Sequence, residues 1–502
     1  GGYLVLPIVF VLMLPLLTLA RQVMATVYSI VVAGAVAVIL NPTTAIGHRA
    51  LEEVSSTKIA QGWALIIGGS LLSTAIIVAV LVYVQPRLEK KLAAFEGKKR
   101  VLSRFGLAGV FVVVGGIGLY LLLSKSSLIQ LLPADIAARI SNINLQTHSV
   151  LERGTFYRDS LKMIGDYPLL GAGGGGWSAL YEMYQNNPYT SRQAHNFILQ
   201  YVIETGFVGF GVFLLLFGWI IIRFLIKQGS ESAGDPVNKA FFAFLLGLMV
   251  HSMIDFNMSY LYLSILMFIC LGVLTADAER PVRWLNRPKL ARYAKVYPVI
   301  MLIGAVVLLF VSLNKVSAYH SYTAAIEQME KNPVFQTVQE KLQSAIDRQP
   351  NHPMYNLQLS AVYIQVYKQT EDKQYLEEAK KIVERVYERQ PYLREVYIQR
   401  EQLAELVGNQ EELLALTEHY LTIYPWDISL YEKAAALHYA QGLKAEEEGR
   451  LDVMEEHWEA IRSIIHAVEE KIAHLQTLPE GQFPGRPFEM TSLLEDILME
   501  IE

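Results

Sequence analysis

Apolar stretches long enough to cross a bilayer recur along this 502-residue chain, at about 3–20, 23–40, 59–84, 102–123, 196–226, 239–257, 259–276 and 297–317. Crossing about 30 Å of hydrocarbon takes roughly 20 helical residues, so these runs predict about eight membrane-spanning helices. The first two are short and joined by Arg21-Gln22, and the pair around Asp255-Phe256-Asn257 reads as two spans rather than one long helix. Composition agrees. Of the residues, 52% are hydrophobic and only 18% charged, against roughly 25% charged in an average soluble domain. A wholly soluble chain is excluded.

The net charge of −5 conceals two bodies of opposite sign. Residues 1–317 carry 26 Lys/Arg against 15 Asp/Glu, whereas 318–502 carry 17 against 33. A basic membrane part is therefore followed by an acidic soluble part, and neither is the basic groove that nucleic-acid binding requires. The single cysteine, Cys270, lies in the apolar run 261–274, so no intrachain disulfide and no cysteine metal site can form. The chain opens Gly1-Gly2-Tyr3 without a methionine or a basic segment, and its first apolar run has no small-residue cleavage site. It reads as a span and not a signal peptide, with upstream sequence expected.

Orientation follows from the basic residues of short loops, which favour the cytoplasmic side. Loops 85–104, 223–239 and 280–295 hold most of the Lys and Arg of this half, and with the spans above all three fall on one side. The sequence thus predicts an all-α protein in four parts: N-terminal spans over 1–123, an extracytoplasmic loop over 124–195, further spans over 196–317, and an extracytoplasmic helical domain over 318–502. A multi-pass membrane protein is expected.

From about residue 320 the pattern changes to charged helices with apolar positions three and four apart. Its punctuation repeats. Pro391 and Pro425 are 34 residues apart, each preceded by a helix (376–390 and 410–424) and followed six residues on by Tyr397 or Tyr431. Pro350 lies 41 residues before Pro391, as though one period carried a seven-residue insert around 368–373. Such a period resembles tetratricopeptide repeats, and small residues at Ala361, Ala404 and 434–436 suit close helix pairing. A plain helical bundle is the alternative. Repeats of this kind present a surface for a protein partner rather than chemistry. The acidic runs near 446–448 and 455–459 read as solvated helix faces, not calcium sites.

The external loop is where chemistry is expected. A helix over about 152–166 would stop before Pro168, because the residue preceding a proline avoids the α region. Arg153 and Tyr157 share one face at i and i+4, and Arg158 with Lys162 forms a second basic stripe. Guanidinium groups bind phosphate oxygens bidentately and stay charged, so the helix suits a diphosphate headgroup; attraction to ordinary lipid headgroups is the other reading. Residues 171–176 formally match G-x-G-x-x-G, but no strand precedes them and no acidic residue follows about 20 positions later, so dinucleotide binding is rejected. Either close packing or ligand contact, at Gly173 and Gly174, would use such a side-chain-free turn. His195 is expected at the outer end of the next span, with Gly206 three turns deeper on the same helix face. An imidazole there can accept a hydroxyl proton or be merely structural. Glu204, an ionisable group at membrane depth, is a candidate for support; His251 and Asp255, at i and i+4 near the outer end of another span, form a second candidate pair or a structural hydrogen bond.

Together, Arg153-x-x-x-Tyr157, the run Asp166-Tyr-Pro-Leu-Leu-Gly171-Ala-Gly173, and His195 with Gly206 eleven residues on resemble the O-antigen ligase and Wzy-type polymerase family of bacterial envelopes. His251-Ser-Met-Ile-Asp255 is similar to a further stretch of it, so that the likeness covers roughly 100–260. Members often carry tetratricopeptide-like repeats after the last span. The resemblance implies a glycosyltransferase that takes a glycan from an undecaprenyl-diphosphate carrier to a glycan or lipid acceptor, without metal or other cofactor. It also implies that Arg153 engages the diphosphate and that His195 is the family's motif histidine, with Arg158 or Arg192 assisting. Ligase and polymerase both stand. A lipid-linked glycan transporter or flippase, or a non-catalytic scaffold, is the reading from another class; transporters often show internal duplication, and none is evident here.

Overall fold

The structure is a computed structural model and describes residues 2–52, 56–98, 100–123, 148–230, 235–276, 296–331, 334–482 and 484–502. The described residues form helices α1 (Gly2–Met13), α2 (Leu19–Glu52), α3 (Ser56–Ala79), α4 (Gln85–Lys98), α5 (Arg100–Leu123), α6 (His148–Asp166) and α7 (Gly176–Tyr184). Then come α8 (Phe197–Ser230), α9 (Pro236–Ser252), α10 (Leu261–Thr275), α11 (Val296–Lys331), α12 (Phe335–Arg348) and α13 (Pro353–Thr370). The chain ends in α14 (Lys373–Tyr387), α15 (Arg394–Val407), α16 (Gln410–Ile423), α17 (Ile428–Glu447), α18 (Leu451–Gln476) and α19 (Ser492–Ile501). No strand occurs among these residues, so the protein is all-α as expected. The chain divides into two compact units, one made of Gly1–Asn144 with Phe213–Ala276, the other of Leu145–Val212 with Asp277–Glu502.

Among the described residues, five helical segments are long and apolar enough to cross a membrane: Leu19–Gly47, Ser56–Ala93, Val101–Gly118, Phe197–Lys227 and Pro298–Lys331. The other three expected spans are shorter helices, α1, α9 and α10. Their shortness has local causes. Pro15 forces a 3-10 turn over Leu14–Leu16 that ends α1, so the break falls there and not at Arg21-Gln22, which lie inside α2. Gln22 is fully buried instead, its amide donating to the carbonyls of Leu17, Ser103 and Arg104. Such bonds satisfy the amide N–H groups, which an apolar medium would otherwise penalise by several kcal/mol. Between α9 and α10 a 3-10 turn over Asn257–Ser259 separates the two helices, as the polar Asp255-Phe256-Asn257 segment predicts. Asp235 caps α9 by accepting from the Val237 amide, with Pro236 in the first turn.

The second unit contains a chain of paired helices from α11 to α19 over three buried apolar clusters. The three prolines that mark the period stand three residues before α13, α15 and α17. The extra length expected as a seven-residue insert is taken up mostly in helix: α13 has 18 residues where α15 has 14, and only Glu371 and Asp372 separate it from α14. Helix α11 runs unbroken past 317, its exposed apolar beginning giving way to Ala318 and Ala325, both buried in the first cluster. The boundary expected at 317/318 is therefore a mid-helix change of surroundings. The described part of the expected loop 124–195 belongs to the same compact unit as the acidic helices, a grouping the sequence does not reveal. Residues 124–147 of that loop lie outside the described residues.

Candidate active site

Helix α6 carries the site. Its inner face buries Thr155, Phe156, Asp159, Ser160, Met163 and Ile164, three- and four-residue spacing that presents one stripe to the unit's interior. It ends at Asp166, two residues before Pro168, where the sequence places its end. Asp159 is a fully buried carboxylate that accepts from Lys162 Nζ (3.0 Å), the Tyr189 hydroxyl (2.9 Å) and the Asn186 amide (3.1 Å). Burial raises its pKa from the ordinary aspartate value despite those donors, and burial with the Asp159 charge raises that of the Tyr189 hydroxyl. Lys162 is thus committed to an ion pair at i, i+3 and to the Tyr184 carbonyl, rather than standing in an open basic stripe with Arg158.

Phe156 sits at the centre of an aromatic cluster, with ring centroids 4.6 Å from Tyr189, 6.1 Å from Trp177 and 5.6 Å from His195. The His195 ring stacks on it at an interplanar angle of 27°. One residue along α6, the Tyr157 hydroxyl donates to the His195 carbonyl oxygen at 3.2 Å. Adjacent residues of the Arg153 helix therefore hold both the ring and the backbone of His195. His195 itself has φ 51°, a left-handed conformation that a non-glycine residue adopts at a cost of about 1–3 kcal/mol and that concentrates at functional sites. His195 lies just before the span, as expected, but the expectation that it stands on the helix itself, on one face with Gly206, is corrected here. Helix α8 begins at Phe197, and His195 lies in the bend before it.

Gly206 is likewise not a notch on a continuous helix face. Its backbone, at φ 66° and ψ −176°, interrupts α8. The segment after Pro168 docks into this kink. Ala172 N–H donates to the Ile203 carbonyl (2.7 Å), Gly173 N–H to Glu204 (3.1 Å), Phe207 N–H to Pro168 (2.8 Å) and Val208 N–H to Leu169 (3.2 Å). A kink leaves helix carbonyls and amides without intrahelical partners, and the glycine-bearing loop supplies them. Of the two uses foreseen for this loop, close packing is what Gly171 does. Gly173 and Gly174 are exposed with open space around their Cβ positions.

Arg153 is half-buried, with Nη1 on the Ser149 carbonyl at 3.0 Å and an Nε that is buried without a hydrogen-bond partner among the described residues. It shares the α6 face with Tyr157. Arg158 and Arg192 are exposed. Glu204 accepts from Gln200 Nε2 at 3.2 Å, and Gln200 Oε1 accepts from the Ala194 amide next to His195 (3.4 Å), so Glu204 touches the site through Gln200. His251 and Asp255 lie in the other compact unit, where Nε2 and Oδ2 are 3.8 Å apart and Asn257 bonds the other ring nitrogen of His251. Sequence reasoning missed Phe156, Asp159 and Tyr189. Only Asp159, three residues before Lys162, carried a visible signal, as a helical ion pair.

Residues 61–214 match a family model described as O-antigen ligase. This segment belongs to the O-antigen ligase family. The match takes in Arg153, Tyr157, the 166–173 run, His195 and Gly206, and it leaves out His251 and Asp255, which the likeness expected over 100–260 had included. No curated protein and no solved structure was found to match the chain. With its long apolar helices, the O-antigen ligase segment makes this a multi-pass membrane protein of glycan biosynthesis, ligase- or polymerase-like.

Proposed function

We propose that the protein is a glycosyltransferase that moves or polymerises a glycan from an undecaprenyl-diphosphate carrier at the outer face of the cytoplasmic membrane. The observation that carries this reading is the hold of α6 on His195: Phe156 stacks the imidazole and Tyr157 binds its carbonyl, on the same helix that carries Arg153. His195 accepts the proton of the acceptor hydroxyl as that oxygen attacks the anomeric carbon. The bond from that carbon to the phosphate oxygen breaks on the opposite side, and its electron pair leaves with the diphosphate. Arg153, with Arg158 and Arg192 assisting, stabilises the charge developing there. Each cation is worth most when fixed before reaction, and Arg153 is the half-buried one. Lys162, tied to Asp159, contributes to the shape of the loop more than to the anion, and Tyr157 acts through the His195 backbone. The helix pairs that follow α11 at intervals of 41 and 34 residues support the tetratricopeptide-like reading, with a protein or glycan partner on their surface.

The test is transfer by the purified protein in nanodiscs, given a lipid-diphosphate-linked oligosaccharide, with products resolved into polymer and ligated conjugate. His195→Ala and Arg153→Ala should each lower turnover about 100-fold or more. Full activity in either variant, at normal membrane abundance, overturns the role assigned to that residue.

A further inference from the structure

The segment 185–190, which lies between α7 and the bend at His195, has no regular secondary structure. Its backbone polar groups must find partners elsewhere, and three of its carbonyls find them in the acidic C-terminal domain: in a turn, a helix and a loop. The Trp426 indole N–H donates to the Gln185 carbonyl at 2.9 Å, His474 bonds the Asn186 carbonyl at 2.9 Å, and the Gly485 amide donates to the Pro188 carbonyl at 2.7 Å. Just before the segment, the Glu182 carboxylate is only 14% exposed and is shared by Arg394 (3.0 Å) and Arg486 (2.8 Å). Arg394 also pairs with Asp427 and lies 4.0 Å over the Tyr424 ring, so its guanidinium is fixed before it meets Glu182. A second donor of Arg486 reaches the Gln185 side chain at 3.1 Å.

What this grip secures is Tyr189, which follows Pro188 directly. Tyr189 packs its ring on Phe156 and bonds Asp159, and Phe156 in turn stacks on His195. A closed series of contacts thus leads from Arg394, Arg486 and Trp426 through the 182–190 segment to the imidazole. Held at φ 51°, His195 would relax toward ordinary backbone angles if that support loosened.

We infer that Arg394, Arg486 and Trp426 are positioning residues for His195: the C-terminal helical domain is a structural part of the transfer site, acting through Tyr189 and Phe156. This rests on the reading of His195 as the general base. A displacement on the order of 1 Å in a reacting group costs up to about 100-fold in rate. In full-length protein in nanodiscs, Arg394→Gln with Arg486→Gln should therefore lower kcat about 10- to 100-fold, while KM for the lipid-linked donor stays within about twofold. Diethyl pyrocarbonate modification of His195, followed by peptide mass, should accelerate several-fold, and Arg394→Lys with Arg486→Lys should restore both readouts in large part. Trp426→Phe keeps the aromatic packing, removes only the donor to Gln185, and should move both readouts in the same direction; it decides the matter if the double variant does not fold. Unchanged kcat together with an unchanged modification rate overturns the inference. Faster modification at unchanged kcat upholds the positioning and overturns the catalytic role of His195 instead.

Discussion

Gly171 and Gly206 meet backbone to backbone. A Cβ on Gly206 would stand 2.1 Å from the Leu169 carbonyl oxygen and 2.6 Å from the Gly171 amide nitrogen, and one on Gly171 would stand 2.6 Å from the Gly206 nitrogen. Both residues also have positive φ, 74° and 66°. The dihedrals of Gly206 fall in a region open essentially to glycine alone. Gly206→Ala and Gly171→Ala should each destabilise the protein by about 3 kcal/mol or more, from backbone strain plus forced displacement of the loop. Gly174→Ala, into open space, should stay within about 0.5 kcal/mol. Thermal unfolding in detergent measures all three, and equal midpoints for Gly206→Ala and Gly174→Ala would refute the docking.

The buried Asp159 carboxylate is the hub between α6 and the 185–190 segment. Asp159→Ala leaves the Tyr189 hydroxyl and the Asn186 amide without their acceptor, and each orphaned buried group costs about 1–3 kcal/mol. The variant should lose about 2–4 kcal/mol and become susceptible to proteolysis within residues 185–190, whereas Asp159→Asn should lose less. A protease digest of the two variants alongside the native protein checks the order.

Tyr157→Phe removes one hydrogen bond, the donation to the His195 carbonyl, and leaves the ring in place. A bond of this kind contributes about 0.5–1.5 kcal/mol. If it supports the reactive geometry, kcat should fall by about 2- to 10-fold with KM for the donor unaltered. Steady-state kinetics decide, and a rise in KM alone would reassign Tyr157 to substrate contact.

How far the sequence reached can be judged from particular residues. Pro168 ends α6 and Pro350, Pro391 and Pro425 precede helices, because a proline acts on its immediate neighbours and so is legible locally. The apolar runs are legible for the same reason, although Pro15 shifted the first break. For His195 and Gly206 the expected geometry differs from the backbone. Helical periodicity put both on one face, whereas the backbone at each departs from helix. The departure at Gly206 depends on Leu169 and Gly171, more than 30 residues earlier. The pairing of Glu182 with Arg394 lies further still beyond local reading, since the two are 212 residues apart. Tertiary partners of that separation leave no period or spacing behind them.

Acid should loosen the C-terminal helices through their histidines. His438 is buried, its Nδ1 is 2.9 Å from that of His457, and its Nε2 faces Glu418 at 3.1 Å. Two ring nitrogens at that distance need one to be deprotonated and accept. Burial first, and then the His438 charge, hold the His457 pKa below its ordinary 6.5, with Arg450 opposing protonation as well and Glu418 and Glu456 favouring it. Burial alone lowers that of His352, which stacks on Tyr355. A folded-state pKa below the unfolded one means that the unfolded chain binds more protons. The stability from these groups is therefore complete above the unfolded value of about 6.5 and is lost as pH falls through the lower folded values. Urea unfolding of the full-length protein at about pH 7.5 and pH 5 should show a lower midpoint at the acid end. His457→Asn should make that decline shallower, because a neutral amide has no proton to gain. An identical decline in the variant would place the acid sensitivity elsewhere.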